Sequence, residues 1–414
     1  MYKAKSQSST SPILQKLLNG NKVKKLLLIL GVWFIIFYIS ESILPYLKIS
    51  SCKWPKIDTN NEQTNILLIA DPQLIDNHTY PGRNPYLLKL SQHTVDQYLK
   101  RNYNNLKNLK PKYTMFLGDL LDNGRASTDE YFENEVARFR SIFTPDPSIY
   151  TNLPGNHDIG FGDLIKIDIR NRFEKTFGSP NLVVTINEVD FIMLDSTSLS
   201  STKDVINQES KKFISNLPTK TNPRILLTHV PLYRDPNSEC GPLREKPKFD
   251  SLGKGYQYQN SITKEISSQI LDYIKPDLIF SGDDHDYCDY KHNDKIREIT
   301  VKSVSMAMGI WYPAVQLLSF KNTEKGLRYQ TEICYLQTPY YNVVMYIILA
   351  LVSFGFLVFS NLKLKLNQNQ GNILPLNNYK VNTILKRGLV WDCAKDSIIA
   401  GALVLLIYRV FIVK

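Results

Sequence analysis

The sequence of 414 residues lacks several features that would assign it to a broad class. It has no low-complexity tract, and a content of 43% hydrophobic and 21% charged residues argues against bulk disorder. No internal repeat of the kind that builds solenoids is present, with a period of about 20–50 residues. It also has no zinc-finger, RNP-like or basic-zipper pattern, so we expect no nucleic acid among its partners.

Much of the formal net charge of +11 lies beside apolar segments. The basic residues that flank these segments are Lys3, Lys5, Lys16, Lys22, Lys24, Lys25, Lys363, Lys365, Lys380, Lys386 and Arg387. Basic residues in this position set the orientation of membrane spans. The charge therefore indicates membrane topology rather than a surface for nucleic acid.

Three apolar segments are candidates to cross a bilayer, which takes about 20 residues. The first, 26–44, has a longer apolar core than a signal peptide and no small-residue cleavage site, so we expect a retained signal anchor. The second, 341–360, contains no charged residue. The third, 397–413, is shorter and carries Arg409, so a buried or interfacial helix is the alternative.

The positive-inside rule places the lysine-rich N-terminus and the basic loop in the cytosol. The predicted organisation is a cytosolic tail (1–25), a first span (26–45), a lumenal domain (46–338), a second span (339–360), a basic cytosolic loop (361–390) and a third span (391–414). We therefore expect a multi-pass protein of the endoplasmic reticulum or early Golgi membrane whose large domain faces the lumen.

Cysteine usage agrees with this orientation. Four of the five cysteines, Cys52, Cys240, Cys288 and Cys334, lie in the predicted lumenal domain, an even number in an oxidising compartment. Four cysteines allow three pairings. Cys393 lies beside the third span and is expected to be a free thiol.

The large domain also contains the only N-x-S/T sequon, Asn77-His78-Thr79. Glycosylation of Asn77 is acceptable if this segment is lumenal.

Short apolar or β-branched segments alternate with helical ones in the large domain, as in an α/β fold. The predicted strands are 66–70, 113–117, 192–194, 225–228, 278–280 and 328–334, and the predicted helices are 86–103, 128–143 and 263–274. The helix at 128 begins with a capping box. Four strands run directly into polar residues: Asp71-Pro72-Gln73, Gly118-Asp119, His229 and Gly282-Asp283-Asp284-His285. Because open α/β sheets bind ligands at the carboxyl ends of their strands, these residues predict a metal site.

The ordered motifs resemble those of the calcineurin-like metallophosphoesterases. They are D-P-Q (71–73), G-D-L-L-D-N-G (118–124), G-N-H-D (155–158), T-H (228–229) and G-D-D-H (282–285). The resemblance covers about residues 65–310 and implies an α/β sandwich of two mixed sheets flanked by helices. It implies two divalent metal ions bridged by the Asp119 carboxylate. One ion would also bind Asp71, Gln73 and His285, and the other would bind Asn156, His229 and Asp283.

The same resemblance gives His157 a catalytic role and assigns Asp122 to orient its imidazole. His157 suits protonation of the leaving oxygen and stabilisation of the charged transition state, because the side chains of adjacent residues diverge and Asn156 already serves as a ligand. Two positions depart from the usual family pattern, since Gln73 and Asp283 replace histidines. Lost activity is one interpretation. We favour an oxygen-rich, harder site that binds Mn²⁺ in preference to zinc or iron.

These departures and the terminal spans narrow the resemblance to fungal secretory-pathway phosphoesterases, which are similar to the metazoan enzyme that removes ethanolamine-phosphate from GPI-anchor mannose. This branch implies a phosphodiesterase that acts on the GPI glycolipid or on GPI-anchored proteins, aids their export and meets the cargo-export machinery. The alternatives are a phosphatase for another membrane phospholipid or sugar phosphate, and a cargo-sorting scaffold with a degenerate metal site.

The predicted metal site and the closeness of domain ends each predict one disulfide pairing. If His229 and His285 meet at one metal centre, the loops that follow them are neighbours, which predicts Cys240–Cys288. The ends of compact domains are often close together, which predicts Cys52–Cys334. Other pairings and free thiols remain open.

Further polar residues have two interpretations each. Arg83, Arg125 and Arg234 are either substrate contacts or surface arginines. Asp284, Asp286, Tyr287, Asp289 and Tyr290 form either a solvated loop or a pocket whose carboxylates and aromatic faces bind the ethanolamine ammonium group. We expect His78, His93 and His292 to be solvent-facing or structural.

Overall fold

The computed structural model describes residues 20–58, 63–370 and 378–409 and divides the chain into two compact units. One unit comprises the residues up to Leu44 and from Pro339 onward, and the other comprises Pro45–Thr338. Residues 1–19 of the predicted tail, 371–377 of the predicted basic loop and 410–414 of the predicted third span lie outside the described residues.

The unit Pro45–Thr338 is built around two mixed sheets. Its strands are β1 (Thr64–Ile69), β2 (Tyr113–Phe116), β3 (Ile149–Tyr150), β4 (Leu182–Ile186), β5 (Val189–Leu194), β6 (Arg224–Thr228), β7 (Lys254–Gly255), β8 (Tyr258–Gln259), β9 (Leu278–Ser281), β10 (Cys288–His292), β11 (Ile296–Thr300), β12 (Ala314–Thr323) and β13 (Gly326–Tyr335). The strand order is β13-β12-β1-β2-β3 in one sheet and β10-β11-β9-β6-β5-β4 in the other, while β7 and β8 form a separate hairpin. This is the predicted α/β architecture of two mixed sheets.

Most helices belong to the same unit as the sheets, while the first helix and the last two belong to the other unit. The helices are α1 (Gly20–Tyr38), α2 (Leu44–Ser50), α3 (Pro85–Lys107), α4 (Asp129–Ile142), α5 (Asn156–Ile159), α6 (Ile167–Phe177), α7 (Ser196–Leu199), α8 (Asp204–Ser215), α9 (Lys264–Ile274), α10 (Pro339–Gln370) and α11 (Asn378–Ile407). A π-helical turn, Ile39–Ile43, joins α1 to α2. The three helices predicted in the large domain are confirmed as α3, α4 and α9, within a few residues at each end.

The strand β1 shows why its sequence is apolar at every central position. Ile66 and Leu68 face a core between the two sheets. Leu67 and Ile69 face a second core against α3 and α4. All four side chains are essentially inaccessible, so both faces of the strand require apolar residues.

The helix starts are set by local hydrogen bonds. The Thr128 hydroxyl accepts a hydrogen bond from the Tyr131 amide and caps α4, so the helix begins one residue after the predicted start. The Asn84 side chain accepts from the amides of Tyr86 and Leu87, and Pro85 occupies the first turn of α3. Asparagine followed by proline is a recognised start signal, and it places the beginning of α3 one residue before the prediction.

Two disulfides are formed, with the pairings predicted from the sequence. Cys52 bonds to Cys334, and the two Cα atoms are 5.5 Å apart. Cys240 bonds to Cys288 across a sequence separation of 48 residues. Cys393 is buried and free. The first bond joins the two ends of the large unit, and the second joins the segment after β6 to the start of β10.

Removing the Cys240–Cys288 bond should destabilise the large unit. In the chain-entropy model, a bond that closes a loop of this length stabilises the fold by roughly 4 kcal/mol. We expect the variant with Cys240→Ser and Cys288→Ser to lose about that free energy of unfolding. Denaturant unfolding of the detergent-solubilised full chain measures it, with Cys393→Ser as the matched control. Unchanged stability, or a Cys52–Cys240 peptide in non-reducing mapping, would contradict the assignment.

Two helices within the described residues are long and apolar enough to cross a membrane, Lys22–Ser50 and Pro339–Leu364. They contain the first and second predicted spans. The third predicted span lies partly in α11, which does not meet this test within the described residues, so it stays a prediction. The apolar helices and the two disulfides together indicate a membrane or secretory-pathway protein.

Candidate metal centre

The polar residues after four strands of two different sheets meet at one place. Asp71 follows β1, Asp119 follows β2 and His229 follows β6. Ligand atoms of these three buried residues all lie within 4.8 Å of one another. The strand pairs β1/β2 and β6/β9 are parallel, so their carboxyl ends point to the same edge.

The backbone is unusual at the predicted ligands. Five of the seven have positive φ: Asp71 (49°), Gln73 (36°), Asp119 (50°), Asp283 (66°) and His285 (65°). Non-glycine residues rarely adopt this conformation, which costs roughly 1–3 kcal/mol per residue and is concentrated at functional sites. The strand ends are therefore shaped for the site at the expense of local stability.

Two motif glycines permit close approach to the ligands. A Cβ atom on Gly118, whose φ is 92°, would lie 2.5 Å from Nδ1 of His229. A Cβ atom on Gly155 would lie 2.0 Å from Oδ1 of Asp119. Glycine is thus required in G-D-L-L-D and in G-N-H-D because ligand side chains occupy the space of a side chain.

His229 is held as a neutral ligand would be. Its Nδ1 donates to the Leu117 carbonyl at 2.7 Å, which leaves Nε2 facing the centre. Nε2 lies 3.2 Å from Asn156 Oδ1, 3.3 Å from Asp119 Oδ1 and 3.4 Å from Asp283 Oδ1. Burial lowers the pKa of His229, but the carboxylates of Asp119 and Asp283 raise it well above its ordinary value. Such crowding of buried carboxylates calls for a compensating positive charge.

The buried acceptor atoms fit divalent cations. Oδ2 of Asp71 and Oε1 of Gln73 are buried and have no hydrogen-bond donor within the part of the chain that the structure describes. Both amide ligands have their nitrogen engaged elsewhere: Gln73 Nε2 donates to Asp122 Oδ1 at 2.8 Å, and Asn156 Nδ2 donates to the Gln257 carbonyl at 3.2 Å. Their oxygens are therefore available, and amide and carboxylate oxygens are ligands for hard divalent ions.

The last motif supplies Asp283 and His285. The Asp283 amide donates to Asp71 Oδ1 at 3.1 Å, which ties this loop to the end of β1. Burial lowers the pKa of His285 to about 4, although Asp283 and Asp119 act in the opposite direction. The imidazole is therefore neutral at physiological pH, the form that binds metals.

His157 lies at the edge of this cluster, with a side chain that is 26% exposed. Its Nδ1 is 2.5 Å from the Asp122 carbonyl oxygen and 3.3 Å from Asp122 Oδ1. Burial lowers the pKa of His157, but Asp119 and Asp122 raise it to about 9. Asp122 therefore contacts the imidazole most closely through its backbone carbonyl, and its predicted orienting role stays a prediction. That contact makes Nε2 the nitrogen that can exchange a proton, and Gln73 Nε2 lies 3.2 Å from it.

Asp158 is a site residue that the sequence interpretation missed. Its carboxylate accepts from the amides of Gly155 (2.9 Å), Leu120 (3.1 Å) and Leu121 (3.0 Å). Burial and the nearby Asp119 raise the pKa of Asp158 to about 7. The residue joins the G-N-H-D segment to the loop that carries Asp119. The sequence did contain a signal for this role, because Asp158 is the last residue of the G-N-H-D motif.

The three arginines near the motifs have different roles. Arg234 is buried and pairs with Glu298 at 2.8 Å, so it is neither a substrate contact nor a surface residue. Arg83 stacks on the Tyr80 ring at 3.8 Å. Arg125 donates to the Asn156 carbonyl at 3.2 Å and is the one of the three that contacts a predicted ligand residue.

His292 is structural, as expected, because it is buried and its Nε2 lies 2.6 Å from Glu298 Oε2.

The acidic residues after the last motif form neither a solvated loop nor a free ammonium pocket. Each carboxylate is paired with a cation: Asp284 with Arg244, Asp286 with Lys302 and Asp289 with Arg297. Asp286 also accepts from the amides of Glu245 and Lys246. Asp284 and Asp286 therefore hold the segment between β6 and α9, while Asp289 pairs with Arg297 of the neighbouring strand β11.

The chain is similar to one protein family and to several known proteins. The pattern of the calcineurin-like phosphoesterases matches residues 64–287, which include all seven predicted ligands. Cell division control protein 1 of Saccharomyces cerevisiae is 37% identical over 79% of this chain and 72% of its own length. Metallophosphoesterase 1 of Xenopus laevis is 28% identical over 77% of this chain and 84% of its own length. A dimetal phosphatase from Danio rerio covers 66% of this chain and 99% of its own at 11% identity, with a TM-score of 0.37.

Proposed function

Because this chain belongs to the calcineurin-like phosphoesterase family, we propose that it is a two-metal phosphodiesterase that removes ethanolamine-phosphate from a mannose of GPI-anchor glycans. The observation that carries the proposal is the buried cluster of Asp71, Asp119 and His229, with His157 at its edge. The family assignment and this cluster make the chain a metallophosphoesterase. The choice of a GPI glycan rests on the sequence resemblance described above.

Each residue of the cluster has a defined part in the proposed reaction. Bound divalent ions would supply charge stabilisation at the phosphoryl oxygens and a nucleophile at neutral pH. Asp119 would bridge the two ions, and its Oδ1 also accepts from the His157 amide at 2.8 Å. Asp122 holds Nδ1 of His157, so Nε2 can give a proton to the leaving sugar oxygen. The His157 side chain is 26% exposed, so substrate can approach it from solvent.

We place the enzyme in the endoplasmic reticulum or early Golgi membrane, with residues 46–338 in the lumen. The two disulfides of this unit support an oxidising compartment. The two apolar helices that flank it support anchoring at both ends. GPI-anchored proteins, or the GPI glycolipid itself, would then reach the catalytic domain on the lumenal side of the membrane. The cargo-export machinery would be a further partner.

Mass spectrometry of GPI glycans from cells that lack the protein tests this function. We expect glycans that retain ethanolamine-phosphate on one mannose, with normal glycans restored by the wild-type chain. The His157→Ala variant should not restore them, because it would lack the catalytic acid. Restoration by that variant would indicate a scaffold, and unchanged glycans would indicate another phosphoester substrate.

The metal preference gives a separate prediction. The ligand set has five oxygen donors and two imidazoles; the oxygen donors are Asp71, Gln73, Asp119, Asn156 and Asp283. Such a set is harder than a histidine-rich one and favours Mn²⁺ over Zn²⁺. After removal of metal with a chelator, we expect Mn²⁺ to restore a severalfold higher rate of phosphodiester hydrolysis than Zn²⁺. Higher activity with Zn²⁺ at equal occupancy would contradict the prediction.

Protease protection tests the proposed topology. In sealed microsomes, the basic flanks predict that added protease cuts the loop 361–390 and spares residues 46–338. Detergent should make both segments accessible. Cleavage of the catalytic unit in intact vesicles would show that it faces the cytosol, contrary to the proposed topology.

A further inference from the structure

Thr79 belongs to the predicted glycosylation sequon, yet its hydroxyl lies beside the proposed catalytic residues. The Oγ1 atom donates to Asp122 Oδ2 at 2.5 Å and accepts from the Asp76 amide at 2.7 Å. The carboxylate of buried Asp76 accepts in turn from the amides of His78 and Thr79. The hydroxyl therefore has a short donor contact to Asp122 and one acceptor contact, and its other acceptor, Asp76 Oδ1, is farther away at 3.4 Å.

The Asp122 carboxylate is the junction between two site residues. Its Oδ1 accepts from Gln73 Nε2 at 2.8 Å and lies 3.3 Å from His157 Nδ1. Its Oδ2 is held by Thr79. The terminal torsion of an aspartate is broad, so the carboxylate plane depends on its hydrogen-bond partners. Loss of the Thr79 contact would free this plane to rotate.

We propose that Thr79 is a positioning residue of the phosphodiester reaction: its hydroxyl holds the Asp122 carboxylate, and through it the Gln73 amide and the His157 imidazole. This inference rests on the proposed function of the site. Hydrogen bonds to charged groups are among the stronger ones in proteins, and networks of this kind rigidify a site when every member is satisfied.

The sequon provides a matched set of variants. Asn77 is exposed and accepts from Gln92 Nε2 at 3.2 Å, away from Asp122. Asn77→Gln removes the sequon and keeps the hydroxyl. Thr79→Ser keeps both, and Thr79→Val removes both with little change in side-chain volume. The effect of the hydroxyl is thereby separated from any effect of a glycan.

Steady-state kinetics of the full-length, metal-loaded protein with an alkyl phosphodiester tests the proposal. We expect Thr79→Val to lower kcat about tenfold, the factor produced by about 1.4 kcal/mol of lost transition-state stabilisation, with KM and metal content unchanged. Thr79→Ser should stay within about twofold of the wild type, and Asn77→Gln should match it. A wild-type kcat for Thr79→Val, or an equal loss for Asn77→Gln, would overturn the proposal.

A double-mutant cycle between Thr79→Val and Asp122→Asn supplies a readout that does not need turnover. If the hydroxyl binds the carboxylate, the two substitutions are coupled in thermal unfolding. Additive effects would overturn the inference even if the wild-type enzyme is active. Conversely, a wild-type chain that hydrolyses no phosphodiester would contradict the proposed function, while the coupling still decides whether Thr79 holds Asp122.

Discussion

Replacing Asp119 with asparagine should abolish metal binding and activity together. The carboxylate is almost fully buried, lies 3.3 Å from His229 Nε2 and is the anion expected to bridge the two ions. Asparagine keeps the size of the side chain but removes the charge that holds the cations. Because bound ions supply several kcal/mol of transition-state stabilisation, we expect kcat/KM to fall by at least about 10³-fold.

Metal content and thermal unfolding distinguish this effect from misfolding. A ligand that binds the folded state raises the unfolding temperature, so Mn²⁺ should stabilise the wild-type chain. The Asp119→Asn variant should show no such shift, while its unfolding without metal stays cooperative. Asp204→Asn, on an 86% exposed carboxylate of α8, is the matched control and should behave as the wild type. Full metal occupancy in Asp119→Asn would show that another group bridges the ions.

Replacing His157 with alanine should abolish turnover but, unlike Asp119→Asn, should leave the bound metals in place. The imidazole lies at the edge of the cluster, and its Nδ1 is held by the Asp122 carbonyl, so it is placed to donate a proton from Nε2. General acid catalysis contributes about 10²–10⁴-fold, and we expect kcat to fall by that factor. Metal analysis of the purified variant should still find the wild-type content.

The leaving group provides a sharper test of the acid role. A sugar or alkyl alkoxide needs a proton to depart, whereas p-nitrophenolate departs without one. The loss of kcat in His157→Ala, relative to the wild type, should therefore be large for an alkyl phosphodiester and much smaller for a p-nitrophenyl phosphodiester. His93→Ala, an exposed histidine on α3, controls for loss of an imidazole elsewhere. An equal deficit for both substrates would point to transition-state charge stabilisation instead.

Several structural features were accessible from the sequence because their signals are local. Continuous apolar segments predicted the strands around β1, β2, β6 and β9, since each is buried on both faces. The capping box predicted at residues 127–130 located the start of α4 to within one residue, with Thr128 as the actual cap. The spacing of Asp, Asn and His after the strands predicted which residues meet, because parallel strands bring their carboxyl ends to one edge.

Other features depend on contacts between segments far apart in the chain. By their local sequence, Asp284 and Asp286 could belong to a solvated loop or to an ammonium pocket, but Arg244 and Lys302 pair with them from 40 and 16 residues away. Likewise, Arg234 resembled a surface or substrate residue, yet its charge is neutralised in the core by Glu298, 64 residues later. Nothing in the local sequence specifies these partners, because ion pairing requires only proximity in the folded chain.

The sequence by itself determined the strand-end motifs and the family that they indicate, because these follow from residue type, order and spacing along the chain. It only predicted the two disulfide pairings, and the tertiary structure decided them. Only the tertiary structure decided how the site is held. Thr79 binds Asp122 across 43 residues, and Asp158 binds the amide of Leu120 across 38 residues. It also showed that Asp122 reaches His157 most closely through its carbonyl. These contacts arise where separate loops pack against one another, and their geometry is set by the two sheets that bring the loops together.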